Sequence, residues 1–250
     1  MHLLVVVPAR LGSTRIPHKP LCLLAGEPLI AAVARRIQSL SLDATIAVAA
    51  DDERVLKAVS HLDVDAVLTS PAHTSGTERV AEVAARPEYA GFDTILNIQG
   101  DEPFVTRAAA GGALDRIARG DPIGTTAVPL EPGQGALTDP ARVKVAVSNS
   151  GRAVGFWRVG PWRHSLEGSV EILQHVGVYA YTRRALVEWA ALPASASECE
   201  ERLEQLRPLA HGIPIGVTRV PGPAWPSIDT MADLALAEEY LVGTSSGVDR

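Results

Sequence analysis

Cysteine is scarce in this 250-residue chain: Cys22 and Cys199 are the only two. They are far apart in sequence, too few for a disulfide framework and without the paired spacing of a zinc site, so both read as reduced thiols. Long apolar runs are lacking as well. The apolar start covers only Leu3 to Val7 before Pro8 and Arg10, which fits neither a signal-peptide core nor a membrane span and leaves the cytoplasm as the expected location. No low-complexity tract interrupts a composition of 46% hydrophobic and 21% charged residues, which excludes disorder and fibrous repeats. Positive charge is not in excess. A formal net charge of -6 and a pI near 5.7 repel a polyphosphate backbone at long range. No basic stripe with interleaved aromatics offsets this, so nucleic acid is not an expected partner. The G-x-S-x-G elbow and any Cys/His pairing by spacing are missing, which disfavours covalent catalysis. The Walker A and dinucleotide G-x-G-x-x-G patterns are missing too.

What is present suits one α/β domain with a small inserted lobe. Apolar runs at Leu3 to Val7, Thr45 to Ala50, Val64 to Leu68 and Thr94 to Ile98 do not alternate with polar residues. That pattern belongs to strands covered on both faces, as parallel strands are. Between them, Pro28 to Leu40, Asp52 to His61 and Thr77 to Arg86 carry apolar residues three or four apart, so the spacing predicts βαβ units and a doubly wound, mostly parallel sheet. Asp51 or Asp52 caps the second of these helices, and Ser75 or Thr77 the third. After Gly120, strand-like runs at Ile123 to Pro129, Val143 to Val147 and Ile172 to Tyr181 are separated by Gly/Pro-rich turns. They predict an antiparallel lobe over roughly 130 to 180. Helix returns over 183 to 210, interrupted around Pro193 to Ser197, and again over Thr230 to Leu241, with a frayed tail from Gly243.

The first strand runs directly into Pro8-Ala9-Arg10-Leu11-Gly12-Ser13-Thr14-Arg15-Ile16-Pro17-His18-Lys19-Pro20. Loops at the carboxyl ends of strands bind ligands in open α/β sheets. No acidic residue occurs before Glu27, so Arg10, Arg15 and Lys19 concentrate positive charge there. Gly12 admits an anion close to the backbone, Ser13 and Thr14 offer hydroxyls, and guanidinium groups grip phosphate oxygens in pairs. A solvated basic loop with turn prolines is the competing explanation.

Asn97-Ile98-Gln99-Gly100-Asp101-Glu102-Pro103 ends the fourth strand, so Asp101 faces the same crevice and is the first candidate for a magnesium carboxylate; a turn aspartate bonded to its own backbone is the competing explanation. In Ser227-Ile228-Asp229-Thr230-Met231-Ala232-Asp233, Thr230 and Asp233 resemble a capping box, while Asp229 offers a second carboxylate. His175 and Tyr179, at i and i+4 of a strand, face one side and line either a polyhydroxylated ligand or the core. Glu201, Glu204 and Gln205 lie on a charged helix that also reads as a solvated face.

In this order the segments resemble the 3-deoxy-D-manno-octulosonate (Kdo) cytidylyltransferases, or CMP-Kdo synthetases, from about residue 4 to 240. The resemblance is carried by PARLGSTRIPHKPL, SGTERVAEV at 75 to 83, NIQGDEP at 97 to 103, RVKV at 142 to 145, HVGVYAY at 175 to 181, ERLEQLR at 201 to 207 and IDTMADL at 228 to 234. It implies a Rossmann-like nucleotidyltransferase of one domain, whose lobe covers the substrate and makes dimer contacts. It also implies transfer of CMP from CTP to the anomeric hydroxyl of Kdo, with Mg²⁺, in a homodimer serving lipopolysaccharide-type glycan synthesis.

Carried over by resemblance, Arg10, Ser13, Arg15 and Lys19 contact the triphosphate, and Ser75, Gly76 and Arg79 hold the cytidine. Gln99, Arg158, His175, Tyr179, Glu204 and Gln205 face the sugar acid, while Asp101 and Asp229 hold Mg²⁺; Arg10, Lys19, Asp101 and Asp229 form the catalytic set. The family's turn after the RVKV strand here reads Phe156-Trp157-Arg158-Val159-Gly160-Pro161-Trp162-Arg163, with a bulky Trp157 and an inverted charge at Arg163. Thr230-Met231-Ala232 also departs from the family's Thr-Pro-Glu. Amino-Kdo, another sugar acid or a smaller acid is therefore an alternative acceptor, and a non-catalytic CTP-binding protein is the alternative from another class.

Overall fold

A computed structural model describes residues 2–12, 15–130, 137–159, 169–224 and 227–245. In chain order the strands and helices are β1 (Leu3–Ala9), β2 (Leu23–Leu24), β3 (Glu27–Pro28), α1 (Leu29–Ser39), β4 (Ala44–Ala50), α2 (Glu53–Val59), β5 (Asp65–Leu68), α3 (Gly76–Ala85), β6 (Thr94–Ile98) and α4 (Arg107–Ala118). They continue with β7 (Ile123–Pro129), β8 (Lys144–Ser148), β9 (Ala153–Trp157), β10 (Val170–Thr182), α5 (Arg183–Ala191), α6 (Ala196–Glu201), α7 (Leu206–Ala210), β11 (Ile215–Arg219) and α8 (Met231–Ser245). Strand and helix alternate through the first half, the α/β organisation expected. Helix α8 runs past Gly243, where fraying was expected, to Ser245.

The chain divides into two compact units. The first comprises Val5–Val83, Ile98–Val105 and Trp225–Arg250. In it β1, β4 and β5 are successive neighbours, and β4 pairs with β5 in parallel, Ala47 opposite Asp65 through Ala50 opposite Leu68. All seven residues of β1 are buried, as are the last four of β4, which explains their unbroken apolar sequence. Helix α1 buries Leu29, Ile30, Val33 and Ile37, one stripe at helical spacing; each such side chain contributes about 1.5–3 kcal/mol by leaving water.

The second unit comprises Met1–Leu4, Ala84–Asn97 and Thr106–Ala224. Its strands run β11-β7-β10-β6, with β8 joined to β10 and β9 to β8. The β7–β11 pair is parallel, while β10 is antiparallel to β7 and β8, and β8 is antiparallel to β9. The register of β10 on β7 shifts between Val176 and Tyr179, a bulge that bends the strand and re-aims its side chains. Helix α4 was not legible from periodicity because Gly111 and Gly112 interrupt it. Gly112 is there for packing: a Cβ at this position would lie 2.7 Å from Thr126 Cγ2 and 3.0 Å from Val220 Cγ1.

Candidate functional site

In the first unit, the basic loop is anchored rather than freely solvated: Ile16 and Pro20 are buried within it. Between them His18 takes a left-handed conformation, φ 54° and ψ 36°, which is unfavourable for a side-chain-bearing residue and turns the chain sharply. The next residue, Lys19, begins a short 3₁₀ turn. Its Nζ donates to Asp101 Oδ2 at 2.6 Å and to Asp229 Oδ1 at 2.9 Å. Arg15 Nη2 donates to the same Asp229 oxygen at 2.8 Å. Burial opposes the Lys19 charge, but the two carboxylates outweigh it and raise the pKa above the ordinary lysine value.

Asp101 and Asp229 are far apart in sequence and are held together by backbone: the Ile228 N–H donates to the Asp101 carbonyl at 3.0 Å. The capping reading of Thr230 and Asp233 also holds. Asp233 Oδ2 accepts from the Thr230 N–H at 2.7 Å and the Asp229 N–H at 3.0 Å, and Thr230 Oγ1 accepts from the Asp233 N–H at 3.2 Å. The cap starts α8 and leaves the Asp229 carboxylate to face Lys19 and Arg15. Glu102, missed in the sequence, adds a third carboxyl: burial, then the charges of Asp101 and Asp229, push its pKa well up, with Lys19 opposing them.

The cytidine segment is also ordered by capping. Ser75 Oγ accepts from the Glu78 N–H at 3.2 Å, which places Ser75, not Thr77, at the start of α3. Gly76 packs beside Gln99 and Pro8, where a Cβ would lie 3.3 Å from Gln99 Oε1 and 3.5 Å from Pro8 Cγ. Arg79 turns inward, its side chain only 3% exposed. Its guanidinium donates to Thr69 Oγ1, to the Ser70 carbonyl at 3.4 Å and to Asp51 Oδ2 at 3.2 Å. Arg10 is exposed. Ser13 lies outside the described residues, as do Thr14 and Arg163.

In the second unit, His175 and Tyr179 come together with ring centroids 5.3 Å apart. Thr125 Oγ1 lies 3.0 Å from His175 Nε2, and Phe156 meets the imidazole edge-on at 5.2 Å. Burial lowers the His175 pKa to about 3, so the ring is neutral. The Tyr179 hydroxyl is buried with no hydrogen-bond partner among the described residues. Burial, then the charges of Tyr181 and Glu204, raise its pKa. An orphaned buried phenol is uncommon in a finished core.

Arg158 is engaged differently from the carboxylate partner expected of it. Its guanidinium donates to the carbonyls of Glu201 (3.1 Å), Pro140 (2.9 Å) and Arg202 (3.4 Å), and its N–H to Glu201 Oε2 (3.0 Å). Trp157, which suggested an altered acceptor, is 5% exposed. Lys144, within the RVKV segment but given no role of its own in the sequence, is fully buried and donates to the Asp139 and Arg158 carbonyls. Glu204 precedes α7, and Gln205 is buried at that helix's start. A buried bidentate pair, Arg207 to Glu198 at 2.6 and 2.8 Å, fixes this segment.

The first unit thus gathers two carboxylates around one cation beside a loop of positive charge, an arrangement suited to a divalent metal and a polyphosphate. Comparison with known proteins identifies the family. Residues 4–215 match the sequence model of the cytidylyltransferase family. The chain is 46% identical to 3-deoxy-manno-octulosonate cytidylyltransferase of Gemmatimonas aurantiaca, over 96% of this chain and 94% of that one. It is 42% identical to the Methylococcus capsulatus protein of the same name, over 96% of both. The solved structure of CMP:2-keto-3-deoxy-manno-octonic acid synthetase complexed with CTP is similar at TM-score 0.85 and 34% identity, covering 98% of this chain and 100% of that one. A 4-diphosphocytidyl-2C-methyl-D-erythritol synthase from Anaerococcus prevotii, at 13% identity and TM-score 0.61, shares the fold. By the extent and level of these matches, the chain belongs to the 3-deoxy-manno-octulosonate cytidylyltransferases, within the cytidylyltransferase family.

Proposed function

We propose that this protein transfers CMP from CTP to the anomeric hydroxyl of Kdo, giving CMP-Kdo and pyrophosphate. The observation that carries the reading is the meeting of Asp101 and Asp229 on Lys19 Nζ, 2.6 and 2.9 Å away, beside the basic loop. Two carboxylates already flanking a cation suit Mg²⁺, which needs only one or two protein carboxylates when phosphates supply the other oxygens. When bound, Mg²⁺ acidifies the attacking hydroxyl and offsets charge on the α-phosphate.

The chain's own residues do the remainder. Arg10, Ser13, Arg15 and Lys19 neutralise and orient the triphosphate, while Ser75, Gly76 and Arg79 belong to the segment assigned to the cytidine. The acceptor oxygen bonds to the α-phosphorus as the bond to the leaving pyrophosphate breaks, and the hydroxyl proton passes to solvent water. Positioning and charge neutralisation carry such a transfer. Gln99, His175, Tyr179, Glu204 and Gln205 are assigned to the sugar acid, and the orphaned Tyr179 hydroxyl supports this by wanting a polar partner. Arg158 is retained as an acceptor residue only in a conformation that releases its carbonyl partners.

The same reading makes the protein a cytoplasmic homodimer that activates Kdo for lipopolysaccharide, with the stretch from 130 to 180 covering the acceptor and forming dimer contacts. Among the described residues no helix is long and apolar enough to cross a membrane. The test is Mg²⁺-dependent pyrophosphate release from CTP with Kdo beside amino-Kdo, other sugar acids and small acids. Turnover restricted to another acid would move the acceptor and keep the donor chemistry.

A further inference from the structure

Asp51 and Asp52 follow β4 and compete for the same local role. The structure separates them: Asp52 caps α2, its Oδ1 accepting from the Arg54 N–H at 2.9 Å. Asp51 is thereby free of the helix. Its Oδ1 accepts from the Leu11 N–H at 2.9 Å, and its Oδ2 accepts from Arg79 Nη2 at 3.2 Å. Leu11 lies between Arg10 and Gly12, in the middle of the basic loop. Arg79, the other partner, is almost wholly buried and is held by Thr69 and Ser70. Thr69 is itself tied to β4, its Oγ1 donating to the Ala50 carbonyl at 3.0 Å.

We infer that Asp51 is a positioning residue for the triphosphate: supported by Arg79, it clamps the Leu11 amide and sets the loop that carries Arg10 and Ser13. This rests on the proposed use of that loop to bind CTP. One carboxylate joins a buried guanidinium on a packed helix to a backbone N–H on a loop. A charge-assisted bond of this kind is short, directional and stronger than a neutral one. Preorganising the loop spares CTP the cost of ordering it. Arg79 then serves the nucleotide through Asp51, besides any direct contact it makes.

The clamp acts on the phosphate loop, so its loss must discriminate between nucleotides by phosphate number. Calorimetric titration of wild-type protein and Asp51→Ala with CTP, CMP and cytidine tests this. The expected result is about tenfold or greater weakening for CTP, little change for cytidine, faster hydrogen exchange at the Leu11 amide, and an unchanged KM for the acceptor. Asp51→Glu, which keeps the charge, recovers part of the CTP affinity. If Asp51→Ala fails to fold, Asp51→Leu, which has the same branched shape and offers no acceptor to the Leu11 amide, carries the same comparison. A folded variant that binds CTP as tightly as wild type, or weakens CTP and cytidine equally, overturns the inference. Failure of the wild-type protein itself to bind CTP overturns the underlying reading instead.

Discussion

Lys19 donates to Asp101 across 2.6 Å, joining the basic loop to the acidic end of β6. The lysine side chain is 15% exposed and the aspartate 23%, so this pair is screened less than a surface ion pair. The same ammonium reaches Asp229, and the three residues come from parts of the chain that no local pattern connects.

Replacing Asp101 or Asp229 by Asn keeps the shape and removes the charge that a divalent cation needs. Each substitution is expected to lower kcat by about 10³-fold or more, equivalent to several kcal/mol of lost charge stabilisation. Circular dichroism of each variant should match wild type, because Lys19 keeps the other carboxylate as a partner when one is replaced. A D101N protein with wild-type turnover contradicts the assignment.

Removing the Lys19 charge has a stability consequence of its own. In Lys19→Met, Asp101 and Asp229 face one another without the ammonium that bridges them, at an expected cost of about 1–2 kcal/mol. Lys19 has a folded pKa above its unfolded value of 10.5, so its contribution is full below that pH and is lost as the pH rises through the folded value. Denaturant unfolding should therefore show a constant wild-type advantage from pH 6 to 9 that shrinks above about pH 10.5.

His175 supplies the opposite sign. Its folded pKa of about 3 lies below the ordinary 6.5, so the unfolded chain takes up the proton first, and stability falls as the pH drops from 6.5 towards 3. The slope is at most about 1.4 kcal/mol per pH unit. Thermal unfolding of His175→Gln between pH 7 and 5 should show a flatter dependence than wild type; identical slopes would mean that the imidazole is not held neutral by burial.

Glu198 and Arg207 form a buried pair beside Gln205. Arg207→Met alone leaves a buried carboxylate without its partner, a change costing about 3–5 kcal/mol. The double variant Glu198→Met/Arg207→Met should recover most of that in denaturant melts. Equal losses in the single and double variants would mean that packing, not charge pairing, is what the arginine supplies.

The sequence revealed the βαβ half of the fold because strands such as β1, buried along its whole length, carry unbroken apolar runs, and Thr94–Ile98 matches its observed bounds; β5 departs from that reading, since only Val67 of Asp65–Leu68 is buried. It concealed α4, where Gly111 and Gly112 look like a break until Thr126 and Val220 are seen against Gly112. The two-residue strands β2 and β3 were too short to stand out, and in β11, Ile215–Arg219, the apolar residues are interrupted by Gly216, Thr218 and Arg219. At the candidate site, residue type drew attention to Lys19, Asp101 and Asp229. The left-handed His18 and the Ile228–Asp101 backbone bond that bring them together have no local signature. Asp51 and Asp52 are equivalent as a local pattern, and only the approach of Leu11 and Arg79 distinguishes them. Arg158 was assigned to the sugar acid by resemblance alone, and in the structure its guanidinium donates to the backbone carbonyls of Glu201, Pro140 and Arg202, contacts no local pattern announces.

The central claim is tested most directly by Mg²⁺-dependent pyrophosphate release from CTP and Kdo, with D101N alongside. Rapid release by wild type that the variant and a chelated sample both lack is the predicted result. Release by neither protein with Kdo or any other acidic acceptor, despite intact CTP binding, would contradict the assignment of Asp101 and Asp229 to catalysis.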